Sequence, residues 1–216
     1  MSKTFYRWLC GIMLVALSGC YPDGADYVEE LDLVVTDYNK NFDFASKNTF
    51  AMPDSVIKIT GDNFEDPDND GKPQFVISDY SKAILDKLAA NMVAAGWTRV
   101  DKYANPDVIL LASTMTTTNI YYWYDWGYWG WWYPYWDPWW GWYYPGYYPP
   151  YVTGYRSGSV FVQMVDAKPI PGQGENIPVV WFSILNGLAE GGESNITTRI
   201  QKGLDQAFAQ SPYLKN

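Results

Sequence analysis

The sequence predicts an α+β fold: a single mixed, mostly antiparallel sheet of about six strands with two amphipathic helices on one face, plus an aromatic-rich insertion. Three observations predict it. Six short segments are rich in β-branched and apolar residues, as strands require. Two longer segments repeat apolar residues every three to four positions, as one face of a helix requires. Between two of the strands lies a tract of Trp, Tyr, Gly and Pro with no Leu, Ile, Val or Met, which fits neither pattern.

The elements follow in chain order. Leu31 to Tyr38 and Asn48 to Met52 read as strands, the second stopped by Pro53. Asp54 to Pro73 reads as a polar connection bearing Pro and Gly. Ser78 to Ala95 is the clearest helix. Ser78 or Asp79 caps it, Ile84, Leu88 and Met92 form its stripe, Leu85 and Val93 widen that stripe, and Gly96 ends it. Trp97 to Lys102 is a brief strand. Asn105-Pro106-Asp107 turns the chain into a long strand, Val108 to Thr118, whose unbroken apolar start marks burial on both faces. Ser159 to Ala167 and Pro178 to Leu188 are the last two strands, joined by a Pro/Gly connection. Asn195 is positioned to cap a final helix with Ile196, Ile200, Leu204 and Phe208 on one face. The order is β-β-α-β-β-β-β-α.

The first twenty residues carry an address. Lys3 and Arg7 precede an apolar run ending in Leu17-Ser18-Gly19-Cys20. The run is shorter than the ~20 residues of a spanning helix. Leu-Ser-Gly-Cys resembles the lipobox of bacterial lipoproteins. The resemblance implies cleavage before Cys20 and acylation of that residue, palmitate included. Residues 1–19 are then a signal peptide, residues 20–30 an acidic tether and residues 31–216 the domain. Cleavage removes two basic residues from a chain of net charge −9. So acidic a chain is a poor partner for nucleic acid, which needs basic surface. Anionic headgroups repel it too, so the expected membrane contact is through acylated Cys20. Tyr21 is not the Asp of inner-membrane retention, and the expected location is the cell envelope, at the outer membrane of a two-membrane bacterium.

Composition narrows the chemistry. There is no His, and Cys10 leaves with the peptide, so Cys20 is the one Cys of the mature chain. Ser-His-Asp catalysis and Cys-based metal sites are excluded, and no cofactor is expected. Ser55-Val56-Ile57-Lys58 fits the S-x-x-K pattern of penicillin-binding enzymes, but no Lys-Thr-Gly accompanies it.

A set of short motifs in fixed order now carries a resemblance. They are Thr36-Asp37-Tyr38, Asn41-Phe42-Asp43-Phe44-Ala45, Lys47-Asn48-Thr49-Phe50-Ala51, Ala95-Gly96-Trp97, Asn105-Pro106-Asp107-Val108, Gly158-Ser159-Val160-Phe161-Val162, the Asp166 turn and Val180-Trp181. Over roughly residues 31–214 the chain resembles the domain of unknown function 4136 family of bacterial envelope lipoproteins. Phe182 departs from the family's usual small or basic continuation. The family has no assigned activity, so the resemblance implies location and fold only.

Two constellations remain. Tyr121 to Tyr151 holds nine Trp and eleven Tyr in 31 residues, broken by five Pro. Such residues suit interfaces, with an apolar body and a polar edge. The tract suits a membrane surface, sugar rings stacked on Trp131, Trp132, Trp139 and Trp140, a protein partner or copy of itself, or collapse onto its own domain. Lying between strands with their own apolar pattern, it is expected to be dispensable for folding. Asp66-Pro67-Asp68-Asn69-Asp70-Gly71 matches the start of a calcium loop, with Asp66, Asp68 and Asp70 as candidate ligands. Its twelfth position is Ile77 rather than Glu, with Glu65 or Asp79 as the nearest substitutes. The reading is a non-enzymatic, lipid-anchored structural or interaction module of the envelope. The alternative is a glycan- or peptidoglycan-binding module using the aromatic tract.

Overall fold

The computed structural model describes residues 33–59, 74–76, 79–115, 132, 142–143, 158–168, 177–186 and 193–215. Their order is β1 (Leu33–Tyr38), β2 (Thr49–Ala51), β3 (Ile57–Ile59), α1 (Asp79–Ala94), β4 (Thr98–Arg99), β5 (Val108–Met115), β6 (Trp142–Tyr143), β7 (Ser159–Asp166), β8 (Ile177–Asn186) and α2 (Glu193–Ala209). The fold is a mixed α+β sheet with strand order β1-β8-β7-β5-β2-β4. The long ladders, β1 on β8, β8 on β7 and β7 on β5, are antiparallel. The parallel pairings are short.

All six expected strands are present, and two further short ones join them. β3 falls inside the segment read as a polar connection. It continues the edge that β2 begins: β2 lies opposite Val108 and Ile109, β3 opposite Ser113 to Met115. Pro53, with no amide N–H, stands between the two. β6 lies within the aromatic tract and runs parallel to β8 beside Ile177 and Pro178. Neither three-residue nor two-residue pairing has enough alternation to be visible locally.

The helices cover one face. Ile84, Leu88 and Met92 of α1 and Ile200, Leu204 and Ala207 of α2 are buried in one cluster with Val108, Leu110, Val162, Met164 and Val180 of the sheet. Val93 does not widen the stripe as expected; it is 57% exposed, because it sits about 100° round the helix from Met92. α1 ends as a Schellman motif: Trp97 N donates to Met92 O, Gly96 N donates to Val93 O, and Gly96 takes φ 99°. α2 begins at Glu193, so Asn195 lies in its first turn rather than ahead of it. Gly203 lets α2 approach β8, since a Cβ there would meet Leu185 Cδ2 at 2.7 Å.

The second face is equally apolar. Ile109, Leu111 and Met115 of β5, Phe161 and Val165 of β7, and Val179, Phe182 and Ile184 of β8 form a second buried cluster, each at most 4% exposed. Phe182, the departure from the family pattern, fills this side beside Phe161 with ring centroids 6.2 Å apart. A fully buried side chain of this kind contributes ~2 kcal/mol. Eight of them outweigh the ~5–15 kcal/mol net stability of a typical domain. The face therefore belongs to the core.

The C-terminal segment is latched by two buried indoles. Trp97 Nε1 donates to Leu214 O at 2.7 Å, and Trp181 Nε1 donates to Ser211 Oγ at 2.9 Å. Tyr213 stacks on Tyr38, centroids 3.7 Å apart, and burial pushes its phenol up to about 12. Ser211→Ala removes the hydroxyl that accepts the buried Trp181 indole N–H. Urea denaturation is expected to report a loss of ~1–3 kcal/mol, the cost of an orphaned buried donor. A loss under about 0.5 kcal/mol would mean that the latch carries no strength.

Candidate functional site

Among the described residues, two groups of charged side chains stand out. The first is a structural knot at one end of the sheet. Asn105 takes φ 55° and Pro106 is buried, which aims Asp107 back across the strand ends. Asp107 Oδ2 accepts hydrogen bonds from Asn48 N, Thr49 N and Thr49 Oγ1 at 3.0, 3.0 and 2.8 Å. Asp107 Oδ1 accepts from Lys168 Nζ at 3.1 Å. Its backbone N–H donates to Thr49 O, and its carbonyl accepts from Ala167 N. One residue thus ties β2, β5 and the end of β7. Burial acts to raise the Asp107 carboxyl, but the bonds from Asn48, Thr49 and Lys168 outweigh it and hold the group well below the usual carboxylate range. Its neighbour Asp166 goes the other way. Burial raises it, against the Lys168 amide and the charges of Lys47 and Lys168.

The second group lines a cleft of about 450 Å³ at the β4 edge, walled by Met52, Asp54, Arg99, Asp101, Lys102 and Trp132. Pro53 ends β2 and sends Asp54 outward, 92% exposed at its side chain, where Arg99 Nη2 meets Asp54 Oδ1 at 2.8 Å. Asp101 turns the chain after β4, its Oδ1 accepting from Tyr103 N at 2.8 Å. Lys102 Nζ donates to Trp132 O at 2.7 Å and lies 5.3 Å from the centre of the indole ring. Trp132 is half-buried against the second-face cluster. Its ring is a wall of the cleft, held from one side by an ammonium and from another by the core.

A smaller cavity of about 240 Å³ lies where α1 and α2 end, beside Asn91, Asp205, Phe208 and Ser211. The Asn91 amide nitrogen there is buried and has no hydrogen-bond partner among the described residues. Asp205 pairs with Lys87 at 2.7 Å.

The family model described as a domain of unknown function (DUF4136) matches residues 34–213. The chain belongs to the DUF4136 family. It is similar to the crystal structure of a DUF4136 family protein from Bacteroides thetaiotaomicron, with 34% identity and a TM-score of 0.64 over 85% of this chain and 97% of that one. A PDZ domain protein from Parabacteroides distasonis matches at 16% identity and a TM-score of 0.41, over 86% of this chain and 37% of that one. No curated protein matches the chain.

Of the residues singled out by sequence, this DUF4136 chain has one at a described cleft: Trp132. Cys20, Trp131, Trp139, Trp140, Asp66, Asp68 and Asp70 lie outside the described residues. Asp79 opens α1. Among the described residues no three acidic, His or Cys side chains gather to hold a metal. The S-x-x-K pattern runs into β3, so Ser55 and Lys58 do not share a helix turn. Sequence reasoning missed Asp54, Arg99 and Asp101. They come from separated segments, and only the β2–β4 pairing brings them to one edge.

Asp107 gives a pH prediction. Its depressed folded-state pKa means that the unfolded chain binds the proton first as pH falls. The stabilisation is present above the ordinary Asp value of about 4 and is lost below it. Chemical denaturation from pH 7 down to about pH 2 should therefore show stability falling below pH 4. Asp107→Asn should cost ~2–3 kcal/mol at pH 7, because a neutral amide cannot accept at both ends. The same variant should flatten the loss between about pH 4 and pH 2. An unchanged acid limb in the variant would contradict the assignment.

Proposed function

We propose that the chain is a non-enzymatic, lipid-anchored module of the bacterial cell envelope, held in the outer membrane through acylated Cys20. The lipobox-like run Leu17-Ser18-Gly19-Cys20 supports the anchor. The tying of Asp107 and Asp166 supports a non-catalytic reading. Among the described residues, both perturbed carboxyls sit in the knot that joins strand ends, bonded to Asn48, Thr49 and Lys168, rather than facing the cleft.

The cleft favours a hydroxyl-rich ligand, an envelope glycan or peptidoglycan fragment. The observation that carries this is the meeting of Trp132 with Arg99, Asp54 and Asp101 around one open volume. Carboxylates and a guanidinium pair with hydroxyl and acetamido groups, and the indole wall supplies apolar contact. Any ligand must compete with the Arg99–Asp54 pair. That pair is exposed and worth little, so little is lost by exchanging it.

Titration of the mature chain with soluble peptidoglycan fragments is expected to give saturable calorimetric binding. Arg99→Ala should weaken it ~10-fold, the loss of one charge-assisted bond. Heats that stay at the level of dilution would refute the glycan reading. Separately, Cys20→Ala is expected to abolish fatty-acid labelling and release the chain from membranes. Labelling that persists in Cys20→Ala would refute the anchor.

A further inference from the structure

We infer that the second face of the sheet is covered by this chain's own aromatic tract, which acts as an internal layer and not as a free adhesive surface. Several observations lead there. The face is a largely apolar surface across β5, β7 and β8, running from Ile109 through Phe161 to Ile184, with Ser113 and Gln163 as its buried polar positions. Monomeric proteins rarely leave patches above roughly a few hundred Å² bare. Both described helices lie on the opposite side, so the face needs another partner.

The described parts of the tract meet this partner's requirements. Trp132 packs against the second cluster. β6 continues the sheet beside Ile177 and Pro178, so the tract crosses to the β8 side. The tract leaves from Met115 and returns at Ser159, and those two residues are register partners on neighbouring strands. Gly158 N donates to Met115 O at 2.7 Å, closing the loop at its base. The chain between these two points must therefore start and finish at one end of the face. Its 43 residues reach across three strands spaced ~5 Å apart many times over. The composition fits the task. Planar Trp and Tyr rings bury large area and leave a polar edge outward, which suits a layer with apolar strands beneath and water above. Frequent Pro and Gly let such a layer form without helix or long strand.

Chymotrypsin cuts after Trp and Tyr, and the tract offers twenty such residues. In the native, mature, full-length chain the tract should be cut ~100-fold more slowly than in the same chain in urea, because cleavage must await opening. Leu111→Ala, beneath the cover, should speed tract cleavage severalfold. Val93→Ala, on the exposed side of α1, should leave it unchanged. Rapid cutting within the tract, with a cooperatively folded monomer left behind, would overturn the inference. Protection that vanishes on dilution to monomer would assign the face to a second copy and overturn it equally. Replacing Tyr121 to Tyr151 by a Gly/Ser linker should yield a chain that binds an apolar dye, self-associates or fails to fold. A linker variant that stays monomeric, dye-free and as heat-stable as the parent would also overturn it. Neither test depends on ligand binding at the cleft.

Discussion

Everything in this fold depends on three strands that are buried, and mostly apolar, on both faces. β5 is buried at all eight positions, and β7 and β8 are buried along nearly their whole length. Alternate residues of such strands point to opposite sides. Val108, Leu110 and Ala112 take the helices, and Ile109, Leu111 and Met115 take the other cluster. A two-faced sheet needs two covers. α1 and α2 supply the first, and their own hydrophobic stripes are completed by it. The second cover is the requirement that gives the aromatic tract a physical reason to exist inside this domain.

The long elements were legible because their signals are local. α1 repeats Ile84, Leu88 and Met92 at helical spacing and stops at a glycine with positive φ. β5 begins with Val108-Ile109-Leu110-Leu111, and that run announces burial on both faces. The short strands were not legible. β3 and β6 are defined by the edges they meet, Ser113 to Met115 and Ile177 to Pro178, not by their own alternation. The two-sided burial of β5 was visible, yet its consequence was missed. A sequence does not say which segment covers a face when that segment has no periodicity.

The candidate site divides the same way. Trp132 stood out as aromatic, but it was one of nine Trp in the tract with no local feature to separate them. Arg99, Asp54 and Asp101 carry no motif. Their convergence is a product of the β2–β4 pairing and of Pro53 turning the chain outward. Trp132 connects both parts of the account. Its ring leans on the second cluster while its carbonyl and ring face meet Lys102 at the cleft. Trp132 thus touches both the second cluster and the cleft. The Asp107 knot sits at the strand ends and fixes β2 against β5, which holds the cleft's edge strand in register.

The most direct measurement is nuclear Overhauser contact in a chain with labelled methyl groups on Ile, Leu and Val and protonated aromatics. The methyls of Ile109, Leu111, Val165 and Ile184 are the reporters, since each is buried on the second face. The account predicts strong contacts from these methyls to Trp and Tyr rings of residues 121–151 within one molecule. Methyls that contact only one another and solvent, or rings reached only from a differently labelled second molecule, would contradict it.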